Sequence, residues 1–171
     1  MKKEFNGKRT ELIAEGMPLG HIEFIDTDKI ESLPIKSTQG CSTMFIRGKL
    51  DAVLALDDGT YGIVDFKTSK ALPEKVNIYS AQLHSYKVAL EHPDAKGLRR
   101  FPITKMGLLV YEPAGFTNAQ IGEGALRGKL TWLEIPIDEP GFYGFLEEVY
   151  HLLHSRRAPP KSKKCDFCNS H

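Results

Sequence analysis

The stretch MFIRGKLDAVLALDDGTYGIVDFK, from Met44 to Lys67, decides the fold. Apolar and polar residues alternate on both sides of the turn signal Asp-Asp-Gly-Thr, and this pattern predicts a β-hairpin. Alternate side chains of a strand share a face, so Ile63, Asp65 and Lys67 point the same way. We therefore expect a carboxylate and an ammonium group side by side on one face of a sheet.

The length of the hairpin loop decides whether Asp51 joins Asp65. A two-residue turn of Asp58 and Gly59 would pair Asp51 with Phe66 and place the two aspartates on opposite faces. A three-residue loop from Asp57 to Gly59 pairs Asp51 with Asp65, and Gly59 then adopts the left-handed conformation that closes such loops. We predict the three-residue loop, because it assembles the carboxylates.

Two neighbouring carboxylates repel each other unless a divalent cation or a shared proton offsets the repulsion. Magnesium takes hard oxygen ligands and keeps positions for water and phosphate, so Asp51, Asp65 and the backbone carbonyl of Phe66 are candidate ligands. Lys67 is then placed to stabilise charge that grows on a phosphate. The alternative is that Asp65 and Lys67 form an ordinary solvated ion pair on a sheet surface.

The segment NIYSAQLHSYKVALEH, residues 77–92, predicts a helix that Asn77 caps and Pro93 ends. Its apolar residues recur on one helical face, namely Tyr79, Leu83, Tyr86 and Leu90. A short helix is predicted from Thr10 to Met17, and residues 21–35 have a strand-like period.

After the central helix, the sequence predicts buried strands over Ile103–Glu112 and Lys129–Ile137, with a glycine-rich, mobile loop between them. An amphipathic helix follows from Pro140. This order of elements predicts one α/β domain over residues 1–171, with a mixed β-sheet flanked by helices.

The 171 residues carry a formal net charge of +1, so any binding of DNA must depend on local basic patches. The densest patch lies in the tail, residues 156–171, which either binds phosphates or is a solvated end. It contains Arg156, Arg157, Lys161, Lys163 and Lys164. The absence of an apolar run of roughly 18 residues and of a secretory signal, with only three cysteines, leads us to expect a cytoplasmic protein without a membrane partner.

Three blocks resemble motifs of the PD-(D/E)XK nucleases, in particular the RecB-like branch that includes the CRISPR-associated exonucleases. They are GKLD at residues 48–51, IVDFKTS at 63–69 and QLHSY at 82–86. The resemblance implies a restriction-endonuclease-like core in which Asp51 and Asp65 bind Mg²⁺ or Mn²⁺ and Lys67 is the catalytic lysine. It also implies that Gln82 and Tyr86 hold this lysine and the DNA backbone in place.

The sequence departs from this family at both ends. The family usually supplies a further metal ligand from an N-terminal helix, whereas His21 precedes a strand here, with Glu11 and Glu15 as other candidates. Some members bind an iron-sulfur cluster through four cysteines, and Cys165 and Cys168 resemble part of that set. The chain has only three cysteines, so a cluster or a zinc ion would need another ligand, such as His171.

The resemblance predicts a metal-dependent DNA nuclease, and we expect an exonuclease in DNA repair, phage or CRISPR-type processing, with possible protein partners in such a complex. The alternative is a catalytically impaired nuclease fold that serves as a DNA-binding or scaffolding module. A third hypothesis is a small metal-cluster interaction protein centred on the two C-terminal cysteines.

Overall fold

The computed structural model describes residues 2–24, 29–38, 40, 42–70, 76–120, 123–157 and 160. Two short 3-10 helices, Lys2–Phe5 and Thr10–Leu12, precede the first strand. The strands are β1 (Gly20–Phe24), β2 (Ile30–Glu31), β3 (Ile35–Lys36), β4 (Thr43–Met44), β5 (Arg47–Gly48), β6 (Ala52–Leu56), β7 (Tyr61–Thr68), β8 (Ile103–Gln120) and β9 (Glu123–Glu134). The helices are α1 (Val76–Glu91), between β7 and β8, and α2 (Glu139–His154), after β9.

Five strands form a mixed sheet in the order β1-β6-β7-β8-β9. The β7 and β8 strands are parallel because α1 carries the chain back across the sheet, and the other neighbours are antiparallel. Two small antiparallel pairs, β2 with β5 and β3 with β4, lie outside this sheet. The expected fold class, a mixed sheet flanked by helices in a restriction-endonuclease-like core, is confirmed.

Each face of the sheet buries its own apolar cluster. Val53 and Ile63 pack on one face with Leu83 and Leu90 of α1, and we call this the α1 face. Leu54 and Val64, their neighbours in sequence, pack on the opposite face with residues from the N-terminal segment. Successive residues of these strands therefore face opposite sides of the sheet, as the period of two in the sequence predicts, and both sides are buried.

The β6–β7 hairpin has the predicted three-residue loop. Ala52 pairs with Val64 and Ala55 pairs with Tyr61, so the register places Asp51 opposite Asp65. The Leu56 amide donates to the Thr60 carbonyl at 3.0 Å, which encloses residues 57–59. Gly59 has a φ of 81°, the left-handed conformation that a residue with a side chain adopts only under strain. The loop therefore brings both aspartates to one face.

Three expectations about helices and strands were wrong. The helix from Thr10 to Met17 is only the 3-10 turn Thr10–Leu12, because the buried Thr10 hydroxyl donates to the Pro18 carbonyl at 2.7 Å instead of capping a helix. The α1 helix begins at Val76, so Asn77 lies inside it rather than at its cap. The run Met44–Leu56 is divided among β4, β5 and β6.

The predicted mobile loop between residues 112 and 129 was also wrong. The β8 and β9 strands remain paired from Gly107 and Glu134 out to Gln120 and Glu123. Residues 113–117 and 124–129 are exposed. Strands are predicted from the alternation of buried apolar and exposed polar residues, and these exposed segments lack that alternation. Within the part of the chain that the structure describes, no helix is long and apolar enough to cross a membrane.

Candidate active site

The carboxylates of Asp51 and Asp65, which we call the acidic pair, lie where the β6–β7 hairpin opens away from its loop. Asp51 directly precedes β6, and its Oδ2 atom accepts a hydrogen bond from the Phe66 amide at 3.0 Å. Asp65 lies within β7 and is only 3% exposed. Since Val53 and Ile63 belong to the α1 face, strand alternation places Asp51, Asp65 and Lys67 on that face too.

Lys67 connects the acidic pair to α1. Its ammonium group forms an ion pair with Asp65 Oδ2 and lies 4.5 Å from the centre of the Tyr79 ring. The side chains of Lys67 and Asp65 are 23% and 5% exposed, so this contact is not the solvated surface pair considered as an alternative. Burial strengthens both the ion pair and the cation–π contact, because water screens them less.

Gln82 and Tyr86 hold the segment before Asp51. The Gln82 amide donates to the Tyr86 hydroxyl at 2.8 Å, and that hydroxyl donates to the Lys49 carbonyl at 2.9 Å. A Cβ atom on Gly48 would lie 2.9 Å from Tyr86 Cε1, so a glycine permits the close approach of this ring. These hydrogen bonds lead to the GKLD segment, whereas Tyr79 is the residue of α1 that contacts Lys67.

A network of charges, with Lys87 and Glu91 buried and Glu139 exposed, fixes the far end of α1. Lys87 forms ion pairs with Glu91 and with Glu139 of α2, and Glu91 Oε1 accepts from the Ile103 amide at 2.7 Å. Burial lowers the pKa of Lys87, but the hydrogen bonds to the two glutamates outweigh it and raise this pKa above its ordinary value. The network joins α1 to the start of β8 and thereby orients the helix over the acidic pair.

The oxygen donors at the acidic pair fit a divalent cation such as Mg²⁺. Two carboxylates converge beside the main chain at Phe66, and hard oxygen atoms are the ligands that this ion prefers. No group of three or more His, Cys, Asp or Glu side chains with metal-binding geometry occurs among the described residues. Asp51, Asp65 and the main-chain oxygen of Phe66 are the candidate ligands at this site.

His21, one of three candidates for a further metal ligand, is not brought to the acidic pair. It lies on β1 opposite Ala55, four residues from Asp51 along β6, or about 13 Å at the rise of a strand. The reason is the antiparallel pairing of β1 with β6, which places the start of β1 beside the hairpin loop. Glu11 forms an exposed ion pair with Arg9 near the same loop, and Glu15 is exposed.

Little of the basic tail can be assigned a position. Arg156 and Arg157 follow α2 and are exposed. The other predicted ligands and cations of the tail, Lys161, Lys163, Lys164, Cys165 and Cys168, lie outside the described residues, as does His171. The expectations of a cluster, of zinc and of a DNA-binding tail therefore stay predictions.

Tyr79 was expected to be a core residue only, because its spacing from Leu83 and Tyr86 is that of a buried helical face. The structure adds its contact with Lys67. One signal in the sequence could have indicated this role: Tyr79, Gln82 and Tyr86 recur at spacings of three and four residues, which places the Tyr79 ring near Gln82 on the same helical face.

Comparison with known proteins identifies the family. No curated protein matches the chain. A solved structure described as "Crystal structure of SSO0001" matches with 20% sequence identity and a TM-score of 0.45, covering 86% of this chain and 57% of that one. This chain thus spans 57% of the length of that structure. The family model of the PD-(D/E)XK nuclease superfamily matches residues 4–171. With nearly its whole length matched, this chain belongs to the PD-(D/E)XK nuclease superfamily.

Proposed function

We propose that this chain is a Mg²⁺- or Mn²⁺-dependent deoxyribonuclease of the RecB-like branch that hydrolyses phosphodiester bonds in DNA. The observation that carries the proposal is the hairpin register, which places Asp51, Asp65 and Lys67 on one face beneath α1. Membership of the superfamily implies a nuclease in general and DNA as its substrate. The resemblance of the three motifs to RecB-like nucleases supports an exonuclease in repair, phage or CRISPR-type DNA processing.

Asp51, Asp65 and the Phe66 carbonyl are the groups that would hold the cation. When bound, the cation polarises the phosphodiester and makes water a better nucleophile at neutral pH. Asp65 suits this role because its carboxylate is held rigidly within β7 and is almost fully buried. The hydrogen bond from the Phe66 amide fixes the Asp51 carboxylate beside it.

Lys67 is proposed to stabilise the negative charge that grows on the phosphate and to orient the attacking water. A fixed ammonium group in a site shielded from solvent stabilises such charge more than a mobile one in water. The Tyr79 ring and the Asp65 carboxylate restrict where this ammonium lies. Gln82 and Tyr86 are proposed as positioning residues, because they fix the Lys49 carbonyl two residues before Asp51.

A cleavage assay with single- and double-stranded DNA labelled at either end tests this function. With Mg²⁺ or Mn²⁺ we expect short products released from an end, and no products in a chelator. The variants Asp65→Asn and Lys67→Met should each reduce the rate by about 10²-fold or more, the effect of losing one electrostatic contact to a transition state. The matched control is Lys105→Met, since Lys105 is a partly exposed lysine at the start of β8 that pairs with Glu134 at 2.7 Å.

Cleavage that persists in both site variants would contradict the assignment of the site. DNA binding without cleavage in the unaltered chain would instead support the catalytically impaired binding module. Internal fragments without short products from an end would support nuclease activity but contradict the exonuclease assignment.

A further inference from the structure

The outer half of the β8–β9 hairpin, from Glu112 to Lys129, extends past the sheet, and we call it the ribbon. Tyr111 is the β8 residue that pairs with Thr68, the last residue of β7, yet β8 continues to Gln120. The ribbon thus begins at the same end of the sheet as Lys67, and residues 113–117 and 124–129 of it are exposed. We propose that the ribbon is a binding track for the phosphate backbone of DNA, in which Lys129 and Arg127 contact phosphates next to the acidic pair.

The strand register shows which face of the ribbon these cations occupy. The pairing of β9 is regular from Glu134 to Leu126, so its side chains alternate without interruption. Leu133 packs in the cluster of the α1 face, whereas Trp132 packs in the opposite cluster. Alternation from Leu133 places Lys129 and Arg127 on the α1 face, which is the face of the acidic pair. The bulge near Pro113 is in β8 and does not change this assignment.

The same register gives the distances. Lys67 pairs with Val110, and Glu112, two residues further along β8, pairs with Lys129. At the usual strand spacing and rise, the Cα atoms of Lys129 and Arg127 lie about 12 and 16 Å from that of Lys67. If these distances run along the axis of a DNA duplex, they correspond to the axial rise of roughly three to five nucleotides. A strand cut at the acidic pair therefore has phosphates at the right separation to meet both cations.

Charge and exposure favour a polyanion on this strip rather than an apolar partner. Lys129 and Arg127 are exposed, and Glu112 stands opposite Lys129 on the same face. The ribbon as a whole carries two cations and two carboxylates, because Glu123 lies near its tip. Lys129, Arg127 and Glu112 lie at its inner end, next to the sheet, so this inner end has a net positive charge. Among the ribbon residues that the structure describes, the large apolar ones are Phe116 and Leu126, which pair with each other on the opposite face. DNA phosphates are the ligand that fits, and this identification rests on the proposed function.

Salt-dependent DNA binding tests the track, measured with the Asp65→Asn chain so that the probe is not cut. The ribbon variant Arg127→Gln with Lys129→Gln is compared with the matched control Lys96→Gln with Arg99→Gln. Lys96 and Arg99 are exposed cations in the loop before β8, at the other end of that strand. The probe is a blunt 20-base-pair DNA duplex, and its dissociation constant is measured at several salt concentrations.

If both cations contact phosphates, the plot of the log of the association constant against the log of the salt concentration becomes shallower in the ribbon variant. The magnitude of its slope decreases by about 1.8, since each contact contributes about 0.9. The control variant should keep the slope of the parent chain. Glu112→Gln removes a repulsive charge and should tighten binding, an outcome that damage to the fold would not produce.

An unchanged slope in the ribbon variant, with the parent chain binding the duplex, would overturn the track. Salt-dependent binding through the ribbon by a chain that cleaves no DNA would support the track while contradicting the nuclease. A failure of the parent chain to bind DNA at low salt would overturn both proposals.

Discussion

The acidic pair and the ribbon share one face of one sheet, but different forces hold them in place. Asp65 is almost fully buried under α1, and hydrogen bonds from α1 reach the segment before Asp51. The ribbon has exposed residues on both strands and is held by the backbone pairing of β8 with β9. Groups that perform chemistry need fixed positions, whereas groups that contact a polyanion can adapt to its shape. This difference leads us to expect that substitutions at the acidic pair affect stability and chemistry more than substitutions in the ribbon.

Glycine substitutions give the largest expected contrast in stability. In Gly48→Ala the new methyl group would lie 2.9 Å from the buried Tyr86 ring, and we expect the free energy of unfolding to fall by about 1–3 kcal/mol. Gly115 of the ribbon has open space around its Cβ position, so Gly115→Ala should change this free energy by less than about 0.5 kcal/mol. Urea unfolding curves measure both. Equal losses would contradict the contrast between a packed site and an exposed ribbon.

Aromatic substitutions should have a smaller effect, confined to catalysis. Tyr79→Leu removes the ring that lies 4.5 Å from the Lys67 ammonium. If the transition state loses the cation–π stabilisation of about 0.5–1 kcal/mol, the cleavage rate falls by roughly two- to fivefold. Tyr79→Phe keeps the ring and should restore the rate. The matched control is Tyr111→Leu, since Tyr111 donates to the Leu126 carbonyl on the opposite face of the ribbon. Single-turnover cleavage rates of the three variants test this prediction. A Tyr79→Phe variant as slow as Tyr79→Leu would show that the loss of the ring does not cause the rate reduction.

The smallest expected effect is at the loop end of the β6–β7 hairpin. Arg9 donates to both oxygens of Asp57, at 2.6 and 2.7 Å, and holds the pKa of that carboxyl below its ordinary value. A carboxyl with a lowered pKa stabilises the fold above the pKa of the unfolded chain, and this stabilisation is lost as the pH falls through the lowered value. Asp57→Asn should therefore lower Tm slightly at pH 7, and the difference should begin to shrink as the pH falls below about 4, the pKa of the unfolded chain, and vanish below the lowered pKa.

Calorimetry at low salt over this pH range measures the difference in Tm. Because the Arg9–Asp57 pair is exposed, added salt should reduce the effect at pH 7 as well. A difference that did not shrink between pH 7 and about pH 2.5 would mean that Asp57 acts through packing or the geometry of the loop rather than through its charge.

Local sequence predicted the hairpin that carries the acidic pair better than it predicted the regions around it. Strand alternation and loop length are local properties, so they reduced the hairpin to two possible registers. The three-residue loop that places Asp51 opposite Asp65 was then chosen because it assembles the two carboxylates. The N-terminal helix was wrong because the Thr10 hydroxyl bonds to a distant carbonyl, a contact that its neighbours in sequence do not reveal. Local sequence also did not predict that the start of β1 pairs with the end of β6, and this pairing places His21 beside the hairpin loop.

The sequence by itself determined the order of the central elements, the register of the β6–β7 hairpin and the three family motifs. Only the tertiary structure decided that Tyr79 meets Lys67, that Tyr86 holds the Lys49 carbonyl, and that Lys129 and Arg127 share a face with the acidic pair. The physical reason is the range of the interactions. Turns and alternation act between neighbours in the chain, whereas contacts between α1 and β7, and between β7, β8 and β9, join residues far apart in sequence.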